Sequence, residues 1–433
     1  MLYTFVPVLV LRSLVAAGAL SIVVACAAEP VDRTAPAVAS QALVQPGLVA
    51  ARQPTVEAPA PQQSFAEWRE TFRNEALAAG IQAAVFDRAF AGVAPDPAII
   101  TADRSQPEFT RPVWKYLEGA LSEQRVRSGQ RLLREHAATL ERVEARYGVE
   151  RQALVAIWGL ESNFGQIMGD KSVIRSLATL AHEGRRPVFA KSQLIAALQI
   201  LQNGDVQPQQ LRGSWAGAMG QTQFIPTTYN THAVDFDGDG RRDIWKSTPD
   251  ALASAAHYLQ ASGWKSGQPW GFEVHLPKAF DYALADSDIR KPLTEWRRLG
   301  LKGLPAGQDE ARASLLLPAG HRGPAFLIMD NFRAILRYNN SSSYALAIGL
   351  LSERFDGGGR VAGDWPLGEQ PLSRTERLEL QERLALQGFD PGTPDGIIGA
   401  NTRKAIRGLQ QQLGWPADGH PTQELLGRLR AEG

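Results

Sequence analysis

Residues 153–165 have the sequence ALVAIWGLESNFG, an apolar run that closes with one carboxylate and a glycine. This pattern predicts an apolar helix that stops at the glycine. The carboxylate is Glu161, and its apolar neighbours are Trp158, Leu160 and Phe164. Desolvation among such neighbours destabilises the charged form of a carboxyl group, so Glu161 could stay protonated and donate to a leaving oxygen. A helix-end carboxylate more often faces solvent, so spacing alone leaves both interpretations open.

The segments on either side of this helix are mostly helical in pattern as well. Apolar residues fall on one helical stripe in residues 65–77, and residues 122–147 mix Leu, Val and Ala with Arg and Glu at helical spacing. Between residues 267 and 328 the pattern changes to short apolar runs broken by Pro and Gly, which favours strands. Helical spacing resumes in residues 331–336 and 344–350. We therefore predict a mainly α (α+β) fold with a small inserted β region.

The composition limits the class of protein. A chain of 433 residues exceeds the common domain size, so we expect more than one domain. Hydrophobic residues at 44% and charged residues at 21% exclude a polytopic membrane protein and a wholly disordered chain. The formal net charge of +1 provides no general attraction for nucleic acid, so no nucleic-acid partner is predicted. Cys26 is the one cysteine, which excludes an intrachain disulfide and a cysteine-based zinc site.

The N-terminal segment is predicted to direct export. Residues 5–28 are almost entirely apolar, which is typical of a secretory signal, and we assign residues 1–26 to a signal peptide. Small residues precede Cys26 as in the lipobox of bacterial lipoproteins, and this resemblance implies that Cys26 is acylated and anchors the protein to a membrane. Ala27 rather than Asp at the next position implies the outer membrane, facing the periplasm. An ordinary signal peptide or an uncleaved single-span anchor stays open as the alternative.

Two segments have the composition of linkers. Residues 27–63 are rich in Ala, Val, Gln and Pro and lack an amphipathic period. Proline favours extended backbone, so this Pro/Ala-rich linker is predicted to space the folded part from the membrane. A second boundary, rich in Gly and Pro, is predicted at residues 356–371. Folded regions are therefore expected at residues 64–355 and 372–430.

Four motifs give a more specific indication. They are WGLESNFG at 158–165, IRSLATL at 174–180, GSWAGAMGQTQFIP at 213–226 and RYNNS at 337–341. In this order, and over about residues 64–355, they resemble the membrane-bound lytic transglycosylase B family. The resemblance implies a lysozyme-like helical catalytic core that cleaves the glycan strands of bacterial peptidoglycan. It also leaves other cell-wall enzymes as candidate partners.

The resemblance also implies roles for individual residues. Glu161 matches the sole catalytic acid/base of the family, and Ser214 and Asn339 match the polar residues that hold the N-acetyl group of the sugar or the carboxyl itself. Trp215 stands where many relatives carry a different aromatic residue. Aromatic rings, amides and guanidinium groups suit sugar binding, although each aromatic residue alone could equally serve core packing. The residues implied to line the glycan groove are Tyr116, Arg185, Arg186, Trp215, Gln223, Tyr258, Tyr338 and Tyr344.

A single carboxylate in these motifs sets the predicted mechanism. Hydrolytic glycosidases use a second carboxylate about 5 to 10 Å away as nucleophile or base, and the site motifs contain none. Glu161 would protonate the glycosidic oxygen, the 2-acetamido group of the substrate would stabilise the reacting carbon, and Glu161 would then deprotonate the 6-hydroxyl for internal attack. The product is a 1,6-anhydromuramyl end, and catalysis needs no cofactor. A hydrolytic muramidase and a catalytically inactive wall-binding scaffold are the alternatives.

An aspartate-rich loop predicts a calcium site. Residues 235–243, DFDGDGRRD, place carboxylates at positions 1, 3, 5 and 9 and glycine at position 6 of an EF-hand-type loop. Position 12 is Lys246 instead of the usual Glu, and Asp250 is the candidate closing ligand because the family's loop also closes with a later Asp. An acidic turn without metal is the alternative. The predicted ligands of this structural Ca²⁺ are Asp235, Asp237, Asp239, Arg241 through its carbonyl, Asp243 and Asp250.

The C-terminal residues resemble a small three-helix peptidoglycan-binding domain. Leucines in residues 378–386 precede the sequence GFD at 388–390, and an Asp-Gly turn at 395–396 leads through Thr402 into another helical stretch. The resemblance covers about residues 373–429. Such a module raises the local concentration of its substrate even when each contact is weak.

Overall fold

The computed structural model describes residues 63–104 and 111–432. The predicted signal peptide, its Cys26 and nearly all of the Pro/Ala-rich linker lie outside these described residues. Within the described ranges, no helix is both long enough and apolar enough to cross a lipid bilayer.

Helices dominate the described chain. Residues 122–147, predicted to be helical, form two helices that meet at His136, whose φ of −100° and ψ of 17° interrupt the helical backbone. The His136 ring packs edge-on against Trp158, with ring centroids 5.5 Å apart. The helices are α1 (Phe65–Ala78), α2 (Ala83–Ala89), α3 (Pro97–Arg104), α4 (Val113–Ala120), α5 (Glu123–Glu135), α6 (Ala137–Tyr147), α7 (Arg151–Ser162), α8 (Val173–Glu183), α9 (Pro187–Asn203), α10 (Pro226–His232), α11 (Thr248–Ala261), α12 (Leu293–Arg298), α13 (Asp330–Tyr338), α14 (Ser342–Phe355), α15 (Arg374–Leu386), α16 (Ala400–Gln412) and α17 (Gln423–Ala431).

In the described part of the chain, two small antiparallel sheets accompany the helices. A two-stranded sheet pairs β1 (Lys171–Ser172) with β2 (Arg212–Gly213). The second sheet has the order β3-β6-β5-β4, and its strands are β3 (Gly271–Val274), β4 (Lys291–Pro292), β5 (Arg312–Leu316) and β6 (Ala325–Ile328). In its register Ile328 lies opposite both Gly271 and Ser314. This arrangement confirms the predicted mainly α fold with a small inserted β region.

Helix α7 is an interior helix. Its residues 153–159 are all buried, and it packs against α5, α11 and α14. Residues 344–351 of α14 are buried in the same way. A surface helix would keep a polar face, so the unbroken apolar sequence of α7 explains its interior position. Each large apolar side chain removed from water here stabilises the fold by about 1.5–3 kcal/mol.

Two apolar clusters meet beside the end of α7. One is built mainly from α4 to α7, α11, α13 and α14, and the other from α1, α2, α8, α9 and α10. Tyr258 of α11 and Tyr338 of α13 pack against both clusters. Tyr258 and Tyr338, which the family resemblance implies for the glycan groove, therefore lie at the boundary between the two clusters.

The C-terminal helices α15, α16 and α17 enclose a core of their own, built mainly from leucine. Polar contacts join this module to the β region. The His321 backbone N–H and ring Nδ1 lie 2.8 and 2.6 Å from Asp418 Oδ2, and Arg407 pairs with Asp286. A C-terminal three-helix domain is thus present as predicted, and residues 356–371, which precede it, contain no helix or strand.

Candidate active site

The end of α7 has an unusual backbone that fixes the last turn of the helix. Three successive residues, Asn163, Phe164 and Gly165, have positive φ values of 49°, 59° and 81°. Positive φ is uncommon outside glycine, so neighbouring contacts must hold this turn. The Ser162 hydroxyl does so, because it donates to the Gln221 carbonyl at 2.7 Å and accepts from the Gly165 N–H at 2.9 Å. Glu161, one residue earlier, is thereby fixed in place.

An aromatic pair packs against the same turn. Trp158 and Phe164 are both buried and meet edge to face, with centroids 5.7 Å apart. Gly159 makes room for them, since a Cβ atom at this position would lie 2.8 Å from the Phe164 ring. Trp158, Gly159 and Phe164 thus pack closely around the last turn of α7, the turn that carries Glu161.

The Glu161 side chain is half-buried. Burial raises its pKa to about 7, and a hydrogen bond donated by the Tyr344 hydroxyl to Oε1, 2.6 Å long, lowers the pKa in part. A carboxyl group with these surroundings is protonated in a large fraction of molecules near neutral pH and can act as an acid.

Tyr344 contacts this carboxyl group, and the charge of Glu161 also acts on Tyr116 and Tyr338. Burial first, and then the Glu161 charge, raise the pKa of Tyr116 to about 12 and the pKa values of Tyr338 and Tyr344 well above 10. Tyr344 is only 4% exposed and lies in the first turn of α14, which is capped by Ser341. The three phenols therefore stay neutral over the pH range in which Glu161 titrates and remain hydrogen-bond donors.

The loop of residues 213–226 forms a second side of the site. The Ser214 N–H donates to the Ala218 carbonyl at 2.8 Å, and the Ser214 hydroxyl accepts from the Ala218 N–H at 3.0 Å. Trp215 lies in this tight turn and is half-buried. Gly217, with φ of 85°, is required here because a Cβ atom would lie 2.8 Å from Leu177.

Three of the predicted groove residues line one cavity of about 210 Å³. Tyr258 and Tyr338 meet edge to face at 5.0 Å, and their hydroxyls donate to the carbonyls of Arg337 and Thr222 at 2.5 and 2.6 Å. Gln223 donates to the Gly220 carbonyl at 2.9 Å. The side chains are fixed by these bonds, so the aromatic surface is preformed.

The remaining predicted residues lie at exposed positions. Arg185 and Arg186, between α8 and α9, are exposed, and Arg185 forms an ion pair of 3.2 Å with Asp103. Arg186 lies over the Phe189 ring at 5.3 Å. Asn339 is exposed at the end of α13, where its backbone N–H donates to Ile335.

Some residues that shape the site had no assigned role in the sequence. The buried Ser162 and the carbonyl of Gln221 join two of the quoted motifs, and Asp103 is 5% exposed beneath Arg185. A role for Ser162 in the site could have been predicted from its place inside the motif at 158–165. The sequence gives no indication that Asp103 contacts Arg185, because the two residues are 82 positions apart.

The aspartate loop brings three of its six predicted ligands together. Carboxylate oxygens of Asp235, Asp237 and Asp250 all lie within 4.8 Å of one another. Oxygens bound to one Ca²⁺ at about 2.3–2.6 Å can be up to about 5 Å apart, so this group has suitable dimensions. Asp239 and Asp243 do not join the group; Asp243 Oδ1 instead accepts the N–H groups of residues 245 and 246 at 3.0 and 2.9 Å.

The buried Asp250 organises this loop. Its two oxygens accept the backbone N–H groups of Phe236, Asp237 and Asp243 at 2.8, 3.2 and 2.9 Å. Burial raises the pKa of Asp250, and the nearby charge of Asp237 raises it further. Close carboxylates repel one another without a cation, so the donor set fits a hard divalent ion such as Ca²⁺.

The sequence profile of the transglycosylase SLT domain family matches residues 64–353. The chain belongs to this family. Membership confirms the predictions of a lysozyme-like helical core and of a lytic murein transglycosylase, an enzyme that acts as a glycosidic-bond lyase. A second profile, that of a peptidoglycan binding domain, matches residues 373–429 of this transglycosylase.

Individual relatives agree with the assignment. Membrane-bound lytic murein transglycosylase B of Escherichia coli (strain K12) is 31% identical over 262 residues, which cover 58% of this chain and 70% of that protein. SltB3 from Pseudomonas aeruginosa, solved in complex with NAG-anhNAM-pentapeptide, is 68% identical with a TM-score of 0.83 and covers 85% of this transglycosylase and 100% of that chain. The Escherichia coli lytic transglycosylase Slt35 in complex with calcium is 27% identical with a TM-score of 0.59, over 66% of this chain and 92% of that chain.

The raised pKa of Glu161 predicts a pH-dependent gain in stability for Glu161→Gln. The pKa is about 7 in the folded protein against 4.5 for an unperturbed carboxyl. The unfolded chain therefore loses its proton first as pH rises, and the parent's free energy of unfolding falls between these two pH values. Gln cannot ionise, so the variant does not bear the cost of a charge at this half-buried position. Its free energy of unfolding should exceed that of the parent by on the order of 2 kcal/mol at pH 8 and by little at pH 4.

Urea unfolding of both proteins at pH 4, 6 and 8 measures this difference. Glu141→Gln, at an exposed position of α6, is the matched control and should show no comparable gain. A Glu161→Gln variant that is no more stable than the parent at pH 8 would contradict the raised pKa of the carboxyl.

Proposed function

We propose that Glu161 alone supplies the acid and base of a transglycosylase reaction on the β-1,4 bond between N-acetylmuramic acid and N-acetylglucosamine. The observation that carries the proposal is the Glu161 carboxyl itself, with a pKa raised by burial to about 7 and the Tyr344 hydroxyl as its hydrogen-bond donor. Such a group is poised to give up and recover one proton near neutral pH.

In the first step, protonated Glu161 donates its proton to the glycosidic oxygen, and the bond from that oxygen to the muramyl C1 breaks. The electron deficiency at C1 is satisfied by the oxygen of the substrate's own 2-acetamido group. Glu161 becomes a carboxylate in this step, and the Tyr344 hydroxyl, 2.6 Å from Oε1, stabilises its new charge. Hydrogen bonds to charged groups are stronger than those to neutral groups, so the bond from Tyr344 favours the carboxylate form of Glu161 that this step produces.

In the second step, the Glu161 carboxylate removes the proton of the muramyl 6-hydroxyl as that oxygen attacks C1. The ring closes as a 1,6-anhydro bond, the acetamido oxygen is released, and Glu161 is protonated again. No water is consumed. An intramolecular nucleophile has a large proximity advantage over a free water molecule.

Aromatic and amide groups are proposed to hold the glycan for this chemistry. Tyr258 and Tyr338 line the 210 Å³ cavity together with Gln223, which suits contact with sugar faces and N-acetyl groups. Ser214 and Asn339 are proposed to orient the reacting sugar. The exposed Arg185 and Arg186 are proposed to bind acidic groups of the strand.

A hydrolytic muramidase is the second candidate for the same site. It would need a carboxylate to activate water about 5 to 10 Å from the acid. The four motifs that carry the site contain no carboxylate besides Glu161, which favours the transglycosylase. SltB3 was solved with an anhydro-sugar ligand, and this supports the same choice.

We also propose a structural Ca²⁺ in the aspartate loop. Asp235, Asp237 and Asp250 would supply carboxylate oxygens, and the remaining ligands would come from loop carbonyls and water. Bound to the folded loop, the ion would relieve the repulsion between these carboxylates and stabilise the segment that precedes α11. Its role would be structural, since no step of the reaction above needs it.

Finally, we propose that Cys26 carries the lipid anchor predicted from the sequence. Two acyl chains would hold the enzyme at the outer membrane, and the Pro/Ala-rich linker would let the catalytic core reach the peptidoglycan. The Escherichia coli relative is named as membrane-bound, which supports an attachment of this kind.

The mechanism predicts that Glu161→Gln loses clearance of purified sacculi by at least about 10²-fold, because the proton donor is gone. Binding to sacculi should remain, since Gln fills the same volume. Glu141→Gln at its exposed position is the control and should clear sacculi at the parent rate. A Glu161→Gln enzyme with more than a tenth of the parent rate would remove Glu161 from its role.

The products of the parent enzyme separate the two candidate reactions. Muropeptides released by internal attack should weigh about 18 Da less than reducing ends, the mass of one water. Digestion in H₂¹⁸O followed by mass spectrometry should therefore give glycan ends without the heavy label. Labelled reducing ends as the main product would favour the muramidase.

The calcium proposal predicts that added CaCl₂ raises the melting temperature of chelator-treated protein. At 100 times the dissociation constant the gain in stability is about 2.7 kcal/mol. Asp235→Asn should reduce the gain, whereas Asp364→Asn, at an exposed position outside the loop, should not. Equal melting temperatures with and without calcium would reject the site.

The lipid-anchor proposal predicts that Cys26→Ser moves the enzyme from the membrane fraction to the soluble fraction of cells and stops incorporation of radiolabelled palmitate. Turnover of purified sacculi should be unaffected, because the residue precedes the catalytic core. An unchanged distribution of the variant between fractions would contradict the anchor.

A further inference from the structure

A cavity of about 170 Å³ lies between the catalytic core and the C-terminal module. The core contributes the first turns of α4 and α14 to this interdomain cavity, and the module contributes α15, α16 and the loop before α17. Sites for whole small molecules usually measure about 300–1,000 Å³, so a cavity of this size suits the end of a larger ligand. None of the reaction steps above uses it. The lining residues on which the argument depends are Arg111, Trp114, Ser342, Ser343, Glu369 and Arg403.

The interdomain cavity adjoins the helices that hold the Glu161 site. Ser343 directly precedes Tyr344, whose hydroxyl donates to Glu161 Oε1 at 2.6 Å. Trp114 lies two residues before Tyr116 on α4, and burial followed by the charge of Glu161 raises the pKa of that tyrosine. A glycan strand held at Glu161 can therefore extend a side branch toward this cavity.

Contacts between the domains hold the walls of the interdomain cavity together. The Trp114 and Trp365 rings pack with their centroids 6.3 Å apart, which fixes residues 356–371 against α4. On the other side, His321 Nδ1 and Asp418 Oδ2 lie 2.6 Å apart and join the module to the β region. The cavity is thus preformed, and a ligand does not have to assemble it.

The wall of the interdomain cavity carries an excess of positive charge. Its lining includes three arginines, Arg111, Arg377 and Arg403. Glu369 is the one acidic residue in the lining that the structure describes, and it is already paired with Arg322 at 2.6 Å. His420, also in the lining, is neutral at pH 7, because burial and then the charge of Arg403 lower its pKa to about 4. The cavity therefore attracts an anionic group and repels a cation.

Arg403 makes no ion pair or side-chain hydrogen bond within the described residues, although it is half-buried on α16. Burial and then the charge of Arg407 lower its pKa, and the charge of Asp418 offsets this only in part. Asp418 is engaged elsewhere, since its oxygens accept from His321 and from Gln410. Removing a cation from water without a counter-ion costs free energy, so an anion from outside the chain would complete the surroundings of Arg403.

Uncharged donors lie on the part of the wall that the catalytic core provides. The Ser342 and Ser343 hydroxyls and the Trp114 indole N–H make no hydrogen bond in the described part of the chain, and they are not sealed from solvent. Both oxygens of a carboxylate accept hydrogen bonds, and a guanidinium group matches their geometry. A charged donor combined with several neutral donors therefore fits a carboxylate. The half-buried Ile398 adds a small apolar surface beside them.

We propose that the interdomain cavity binds the C-terminal carboxylate of a stem peptide carried by the strand at Glu161. Arg403 would provide the charged donor, and the Ser342 and Ser343 hydroxyls and the Trp114 indole would donate further hydrogen bonds. The inference rests on the proposed function for the strand in the groove and adds the peptide end as a second point of recognition. Two linked contacts on one strand raise its affinity beyond that of either contact alone.

The binding test compares N-acetyl-D-alanyl-D-alanine with its C-terminal amide, which lacks the negative charge, by NMR titration with the full-length protein. The acid should bind at least about tenfold more tightly than the amide, because hydrogen bonds to charged groups are the stronger ones. Arg403→Gln should weaken binding of the acid at least about fivefold. Lys404→Gln, at the next and exposed position of α16 and outside the lining, is the matched control and should leave binding unchanged.

Equal binding of the acid and the amide by the parent protein would overturn the proposal. So would an Arg403→Gln variant that binds the acid as tightly as the parent, with its melting temperature as the check on folding. The first comparison uses the parent alone and decides the matter even if the variant does not fold. Glu161→Gln should bind the acid normally, so failure of the catalytic proposal and failure of this one are distinguishable.

A kinetic comparison tests whether the carboxylate belongs to the strand that is being cleaved. Soluble glycan strands that keep their stem peptides are compared with strands from which an amidase has removed them. Arg403→Gln should raise KM for the stem-bearing strands at least about fivefold more than for the stripped strands, whereas Lys404→Gln should match the parent with both. Equal changes in KM with the two substrates would contradict a stem-borne ligand and leave the catalytic proposal intact.

Discussion

The partial burial of the Glu161 side chain is the constraint on which the site depends. An exposed carboxyl would be ionised at neutral pH and could not act as an acid. Burial raises its pKa to about 7, and the hydrogen bond from Tyr344 limits the rise. The two effects oppose each other, and their balance leaves a group that can both donate and recover a proton. A single residue can then serve both steps of the reaction.

The fold provides this environment at a cost in stability. A buried ionisable group weakens the folded state, and the apolar packing of α7 against α14 offsets the loss. The bond from Ser162 to the Gln221 carbonyl, 2.7 Å long, ties the end of α7 to the loop that carries Ser214 and Trp215. The end of α7 and the loop of residues 213–226 are therefore positioned by the same contact.

The sequence predicted the elements whose signal is local. The apolar run of α7, its closing carboxylate and the C-terminal three-helix domain all follow from patterns within a few residues. The contacts that finish the site are long-range: Tyr344 lies 183 positions from Glu161, and Asp103 lies 82 positions from Arg185. Periodicity carries no information about such pairs. The resemblance to a family suggested Tyr344 as a groove residue, but its direct bond to the carboxyl required the structure.

The most direct test of this account is a ¹³C NMR titration of the Glu161 side-chain carboxyl in the intact enzyme, assigned by comparison with Glu161→Gln. The account predicts a midpoint near pH 7, as burial implies. A midpoint near the ordinary value of about 4.5 would show that the carboxyl is solvated and ionised at neutral pH, and a single-residue acid/base mechanism would then be untenable.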